Sequence, residues 1–148
     1  MNLDARLMED LKTAMKKGDR LRTGVIRMLR SDLKYAHIEK GEDLDEAEGL
    51  EILARYARKR KEAAEEYRKG DRLDLAEKEL AEEAFVKEYL PEALGEEEVR
   101  NIVDGVVSEL DVSGMKHMGA VMTLVMLRTA GRAEGSLVSS LVKERLSS

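Results

Sequence analysis

Apolar residues recur every three to four positions along almost the whole chain, the period of one face of an α-helix. Leu3, Leu7, Met8, Leu11, Ala14 and Met15 form the first stripe, and Gly18 followed by Asp19 supplies a stop and a fresh N-cap. A second stripe runs through Leu21, Val25, Met28, Leu29, Leu33 and Ala36 up to Gly41. Asp45 with Glu48 three residues later makes a capping box, opening a third and longest helix through Leu50, Leu53, Ala57, Ala64 and Tyr67 that stops at Gly70. A fourth passes through Leu73, Ala76, Leu80, Ala84, Phe85 and Tyr89. It meets Pro91, the single proline, which lacks an amide hydrogen and forces its predecessor out of helical geometry, so Leu90 is expected to end that helix.

Beyond the proline, Glu96, Glu97 and Glu98 stand where acidic side chains favour a helix start, ahead of Val99, Ile102, Val103, Val106 and Leu110. Two further stripes follow, one through Met118, Val121, Met122, Val125 and Met126, the other through Leu137, Val138, Leu141, Val142 and Leu146. No stretch alternates with period two, so a sheet has nothing to be built from. The expected fold is all-α: a four-helix bundle over residues 1–91 and a three-helix part over residues 92–148. Short links predict antiparallel neighbours, packed around leucine and methionine in the first part and valine, leucine and methionine in the second.

A chain of 148 residues buries one good core or two small ones. With 43% hydrophobic and 39% charged residues it has no apolar run near the ~20 residues that a membrane span requires. The opening Met1-Asn2-Leu3-Asp4 lacks the basic and apolar regions of a secretory leader, and zero cysteines exclude disulfides and thiolate sites, so a cytoplasmic home is expected. His37 and His117 lack the spacing of a zinc motif, and no metal or cofactor is expected. Phosphate-binding loop, nucleophile elbow and dinucleotide fingerprint are all missing. The adjacent carboxylates Glu82 and Glu83 serve acid–base chemistry only if burial raises one pKa.

The overall charge of −5 hides segregation along the chain. Residues 1–40 carry ten basic and six acidic groups, residues 41–54 none and six, residues 55–72 eight and four, and residues 73–104 three and eleven. The densest basic run is Arg55, Arg58, Lys59, Arg60 and Lys61, joined by Arg68, Lys69 and Arg72. Arg58, Lys61 and Arg68 share one helical face and could neutralise phosphates, although Glu62, Glu65 and Glu66 interleave with them and offer ordinary intrahelical pairs. Lys116 and Arg132 add candidate phosphate contacts in the second half. The glycines of Gly131-Arg132-Ala133-Glu134-Gly135 permit positive φ at both ends of that turn, and amides beside Arg132 at a helix start suit an anion. Met118, Met122 and Met126 read either as adaptable core or as a groove for a partner protein.

Taken together, Asp10-Leu11-Lys12-Thr13-Ala14-Met15-Lys16, Arg27-Met28-Leu29-Arg30-Ser31, Arg58-Lys59-Arg60-Lys61-Glu62-Ala63 and Gly70-Asp71-Arg72 resemble the successive signatures of the YqeY-like family. Tyr89-Leu90-Pro91, Met118-Gly119 with Val121-Met122, and the Gly131–Gly135 turn resemble its second half, which is similar to the tail of the B subunit of glutamine-dependent aminoacyl-tRNA amidotransferase. Glu134 departs from an expected aspartate but keeps the charge. The resemblance implies a non-catalytic helical module with tRNA, or amidotransferase or synthetase proteins, as partners. Two other readings stand beside it: a protein adaptor using the methionine groove, and a carbon–nitrogen ligase with glutamine as amide donor.

Overall fold

The structure, a computed structural model, describes residues 2–148. Its helices are α1 (Leu3–Lys17), α2 (Arg20–Lys40), α3 (Glu46–Lys69), α4 (Leu73–Lys87), α5 (Glu96–Leu110), α6 (Met118–Thr129) and α7 (Gly135–Ser147), with a 3₁₀ turn at Met115–His117. Among the described residues there is no strand, and the chain is all-α. It divides into two compact units, Met1–Leu90 holding α1 to α4 and Pro91–Ser148 holding α5 to α7.

Polar punctuation sets most helix ends. The Asn2 side chain accepts from Ala5 N at 2.8 Å and that of Asp19 from Arg22 N at 3.0 Å, each satisfying an amide that a helix start leaves without a partner. At α3 the capping box closes in both directions, Glu48 N to Asp45 Oδ1 at 2.8 Å and Asp45 N to Glu48 Oε1 at 3.0 Å. That amide, followed by the Lys40 ammonium 2.6 Å away, holds the Glu48 carboxyl below its ordinary range. Gly18 ends α1 in the left-handed region at φ 68°.

Three boundaries differ from expectation. α4 stops at Lys87, not Leu90, because Glu88, Tyr89 and Leu90 donate to Phe85, Val86 and Lys87 three residues back, tightening the last turn before the proline. At the end of α3 the left-handed residue is Asp71 (φ 58°) and not Gly70 (φ −84°). In the Gly131–Gly135 turn the positive-φ residues are Ala130 (47°) and Gly131 (80°), whereas Gly135 is already the first residue of α7.

The core of the first unit is Leu7, Leu11, Val25, Ile26, Leu29, Leu53, Tyr56, Ala57, Phe85, Val86 and Tyr89. Methionine has no part in it: Met8, Met15 and Met28 are 38%, 53% and 52% exposed in turn at the surface, so the expected leucine and methionine packing is corrected to leucine, valine and aromatic packing. Ile26, one residue round from the stripe read in the sequence, is fully buried. Leu73 and Ala84, also on an expected stripe, face solvent. Valine dominates the second unit, where Val99, Val103, Val106, Val121, Val125, Val138 and Val142 are buried, with Met118, Met122 and Met126 half-buried against them.

Two leucines separate burial from chemistry. Leu29→Ala empties a fully enclosed site and should lower unfolding free energy by roughly 2–5 kcal/mol. Leu73→Ala, at a side chain 55% exposed, should stay within about 0.5 kcal/mol in the same urea titration.

Candidate nucleic-acid interface

α3 supplies seven bases, Arg55, Arg58, Lys59, Arg60, Lys61, Arg68 and Lys69, against six acids, Glu46, Glu48, Glu51, Glu62, Glu65 and Glu66. Its apolar side, with Leu53, Ala54, Tyr56, Ala57 and Ala64 buried, turns the bases outward or along the edge shared with α4. Among the described residues Arg55, Lys59 and Arg68 are exposed without a carboxylate partner. Lys61 is exposed too. Arg58 is half-buried and donates from Nη2 to Glu51 Oε1 at 3.0 Å, while Arg72 pairs with Asp74 at 3.4 Å. The expected stripe of Arg58, Lys61 and Arg68 therefore differs in availability along its length: Arg68 is free for an anion and Arg58 is occupied.

Arg60 is drawn inward. Its guanidinium lies 4.9 Å over the Tyr56 ring, and Nη1 is 3.3 Å from Glu79 Oε2, a charge contact without hydrogen-bond alignment, since both Arg60 Nε and Glu79 Oε2 are buried with no hydrogen-bond partner. Burial, and then the neighbouring Glu79 charge, raise the carboxyl of Glu82 above its ordinary range. Glu83 faces elsewhere and pairs with Lys87 at 3.4 Å, so the two adjacent carboxylates do not converge. Among the described residues no group of three or more His, Cys, Asp and Glu could hold a metal ion.

In the second unit Lys116 is exposed on the 3₁₀ turn. Arg132 is half-buried and structural in part: its Nε donates to Glu92 O at 2.9 Å, and its carbonyl accepts from Leu94 N at 2.7 Å, tying the segment after Pro91 to the α6–α7 turn.

Charged side chains border two concavities formed by described residues of the first unit. The smaller, of about 470 Å³, lies among α1, the start of α2 and the end of α4. Most of its charges are matched internally: Arg22 faces Asp19 at 3.4 Å and Glu88 at 3.6 Å, Arg6 lies 4.5 Å over Tyr89, and the Tyr89 hydroxyl donates to Asp10, with Lys17 left at the rim. Burial and that hydrogen bond push the Tyr89 hydroxyl far above its usual pKa, keeping it protonated. The larger, of about 930 Å³, borders α2 with Arg27, Arg30, Lys34 and His37 on one wall and Asp43, Asp45 and Glu46 opposite. No base on α2 is among the candidates read from the sequence, although that helix holds six, Arg20, Arg22, Arg27, Arg30, Lys34 and Lys40, against Asp32 and Glu39. The signal for them is the excess of ten bases over six acids in residues 1–40.

Residues 4–146 match the family described as Yqey-like protein. The chain belongs to this family. A relative named altered inheritance of mitochondria protein 41, mitochondrial, from Lachancea thermotolerans is 37% identical over 112 residues, 74% of this chain and 60% of that protein. The chain thus spans somewhat under two thirds of that relative. The protein of the same name from Pyrenophora tritici-repentis is 28% identical over 142 residues, 94% of this chain and 78% of that protein. A subunit of the glutamyl-tRNA(Gln) amidotransferase of Thermococcus gammatolerans is 42% identical over 57 residues, 36% of this chain and 9% of that protein. The YqeY-like chain is thereby related to an amidotransferase component. The expected cytoplasmic home is corrected, because these fungal relatives are named as mitochondrial proteins. That expectation is read from cysteine content and the first residues, neither of which tells the cytoplasm from an organelle interior.

The raised carboxyl of Glu82 has a pH signature. Because folding holds the proton more tightly, the favourable contribution is present below the ordinary carboxylate range and is lost as pH rises through the raised value. Glu82→Gln should melt above the parent chain at pH ~7, with the gap closing near pH ~4, where the parent is protonated as well. Equal gaps at both pH values would refute this assignment.

Proposed function

We propose that this YqeY-like chain is a non-catalytic helical module that holds tRNA, or joins proteins of tRNA-dependent amidation, through the outer face of α3. The observation that carries the reading is the set of exposed bases without carboxylate partners, Arg55, Lys59 and Arg68, on a chain related to an amidotransferase component. Arg58, Lys61 and Arg72 flank them, and Lys116 and Arg132 are the corresponding candidates in the second unit. Phosphate binding of this kind requires no reacting groups. Cations displace condensed counterions, so affinity falls steeply with salt.

The adaptor reading has less to stand on, since Met118, Met122 and Met126 spend much of their apolar surface on the second unit's own core. A carbon–nitrogen ligase acting with glutamine would convert misacylated tRNA when given glutamine and ATP. We expect the purified chain to leave such tRNA unchanged.

Fluorescence titration with total tRNA at two salt concentrations tests the proposal. The parent chain should bind, and Arg55→Ala/Lys59→Ala/Arg68→Ala should weaken binding and flatten the salt dependence by roughly one logarithmic unit of slope per lost phosphate contact. An affinity and slope identical in the triple variant would remove α3 from the interface.

A further inference from the structure

α2 carries a second stripe that its own bundle leaves uncovered. Gly24, Met28, Ser31, Tyr35 and Ile38 follow one another at alternating spacings of four and three, the pattern of a helix–helix seam. Met28, Tyr35 and Ile38 are 52%, 76% and 66% exposed, and Tyr35 has the most exposed of the chain's aromatic rings. Gly24 lies inside the helix, and beyond the helix's own neighbouring backbone no atom stands within 4 Å of where a Cβ would be. Glycine there is unfavourable against alanine, and nothing in its own unit requires the space.

The charges beside this seam are sorted. Arg27 and Lys34 lie on one flank, Asp32 and Glu39 on the other, and among the described residues none of the four forms an ion pair. Arg27 Nη2 donates to Met15 Sδ at 3.9 Å, and the half-buried Asp32 places its charge near the Tyr56 ring without pairing to a base. Each base precedes an acid by five residues, the offset that brings flanking charges together across two parallel, in-register helices.

We propose that this face of α2 is a self-association seam, on which a second copy of the chain docks parallel and in register, with Arg27 facing the partner's Asp32 and Lys34 facing the partner's Glu39. Gly24 then lets the two backbones approach closely, and Met28, Tyr35 and Ile38 are covered by their own counterparts. Antiparallel docking would set Arg27 and Lys34 against bases. A polyanion would meet Asp32 and Glu39 as well as the bases. The seam runs ~21 Å, shorter than a free coiled coil needs, but each helix is already folded and anchored by its bundle, so docking orders little new chain. This inference stands independently of tRNA binding.

Sedimentation equilibrium of the full chain tests it. The mass should rise with concentration from 16.7 kDa towards twice that value, and Tyr35→Glu should hold it at 16.7 kDa. Arg27→Glu/Lys34→Glu and Asp32→Lys/Glu39→Lys should each stay monomeric, with unchanged helical circular dichroism, and an equimolar mixture of the two should recover the doubled mass. The chain has no cysteine, so Ile38→Cys supplies a lone thiol that should form a disulfide with its own counterpart only in the parallel register. A parent chain that stays at 16.7 kDa, a mixture that fails to associate, or a dimer whose Ile38→Cys thiols do not join would each overturn the proposal. Loss of RNA binding by Tyr35→Glu in a chain that is always monomeric would assign the face to nucleic acid instead.

Discussion

Burial of Val25, Ile26 and Leu29 at the centre of the first unit sets the rotation of α2, and most of that unit's surface follows from it. α1, α3 and α4 all pack against this helix. Enclosing each such side chain is worth roughly 1.5–3 kcal/mol, so turning α2 enough to bury Met28 and Tyr35 instead would forfeit several kcal/mol. With the rotation settled, Arg27, Met28, Lys34, Tyr35 and Ile38 have nowhere to point but outward.

The same constraint explains why density of charge is a poor guide to availability. α3 looks like the most basic segment when bases alone are counted, yet its acids nearly balance them, and burial of its apolar side brings Arg60 against Tyr56 and Glu79 and leaves Arg58 within reach of Glu51. α2, with fewer bases but only two acids, keeps a larger excess of charge. An ion pair near the surface contributes little to stability, but it still occupies the guanidinium that a phosphate would need.

The second unit is built on a different principle of closure. Its valines pack with Leu141 and Leu146 and with no aromatic side chain, and β-branched residues lose little further freedom when enclosed. Polar closure falls to Arg132, whose side chain and backbone both hold the segment following Pro91. A residue that reads as an anion ligand beside a glycine turn thus also serves as a brace.

Helix number, order and most of the caps were legible in the sequence, because they depend on neighbours three or four residues apart: the Asp45–Glu48 box, Gly18 before Asp19, and the break at Pro91. So was the family, since its signatures recur in order along the chain. Which side of an amphipathic stripe faces inward was not, because apolar period alone ranks Met28 with Leu29 and overlooks Ile26; only packing against α1, α3 and α4 separates them. Likewise Arg58, Arg60 and Arg68 are alike as letters in one basic run, yet Arg58 meets Glu51 two turns back on its own helix, Arg60 meets Glu79 only because α4 packs beside α3, and Arg68 is left in water. Local hydrogen bonding and short-range ion pairs are written in the sequence, whereas burial and the pairing of Arg60 with Glu79 join residues far apart in the chain, and the fold alone decides them.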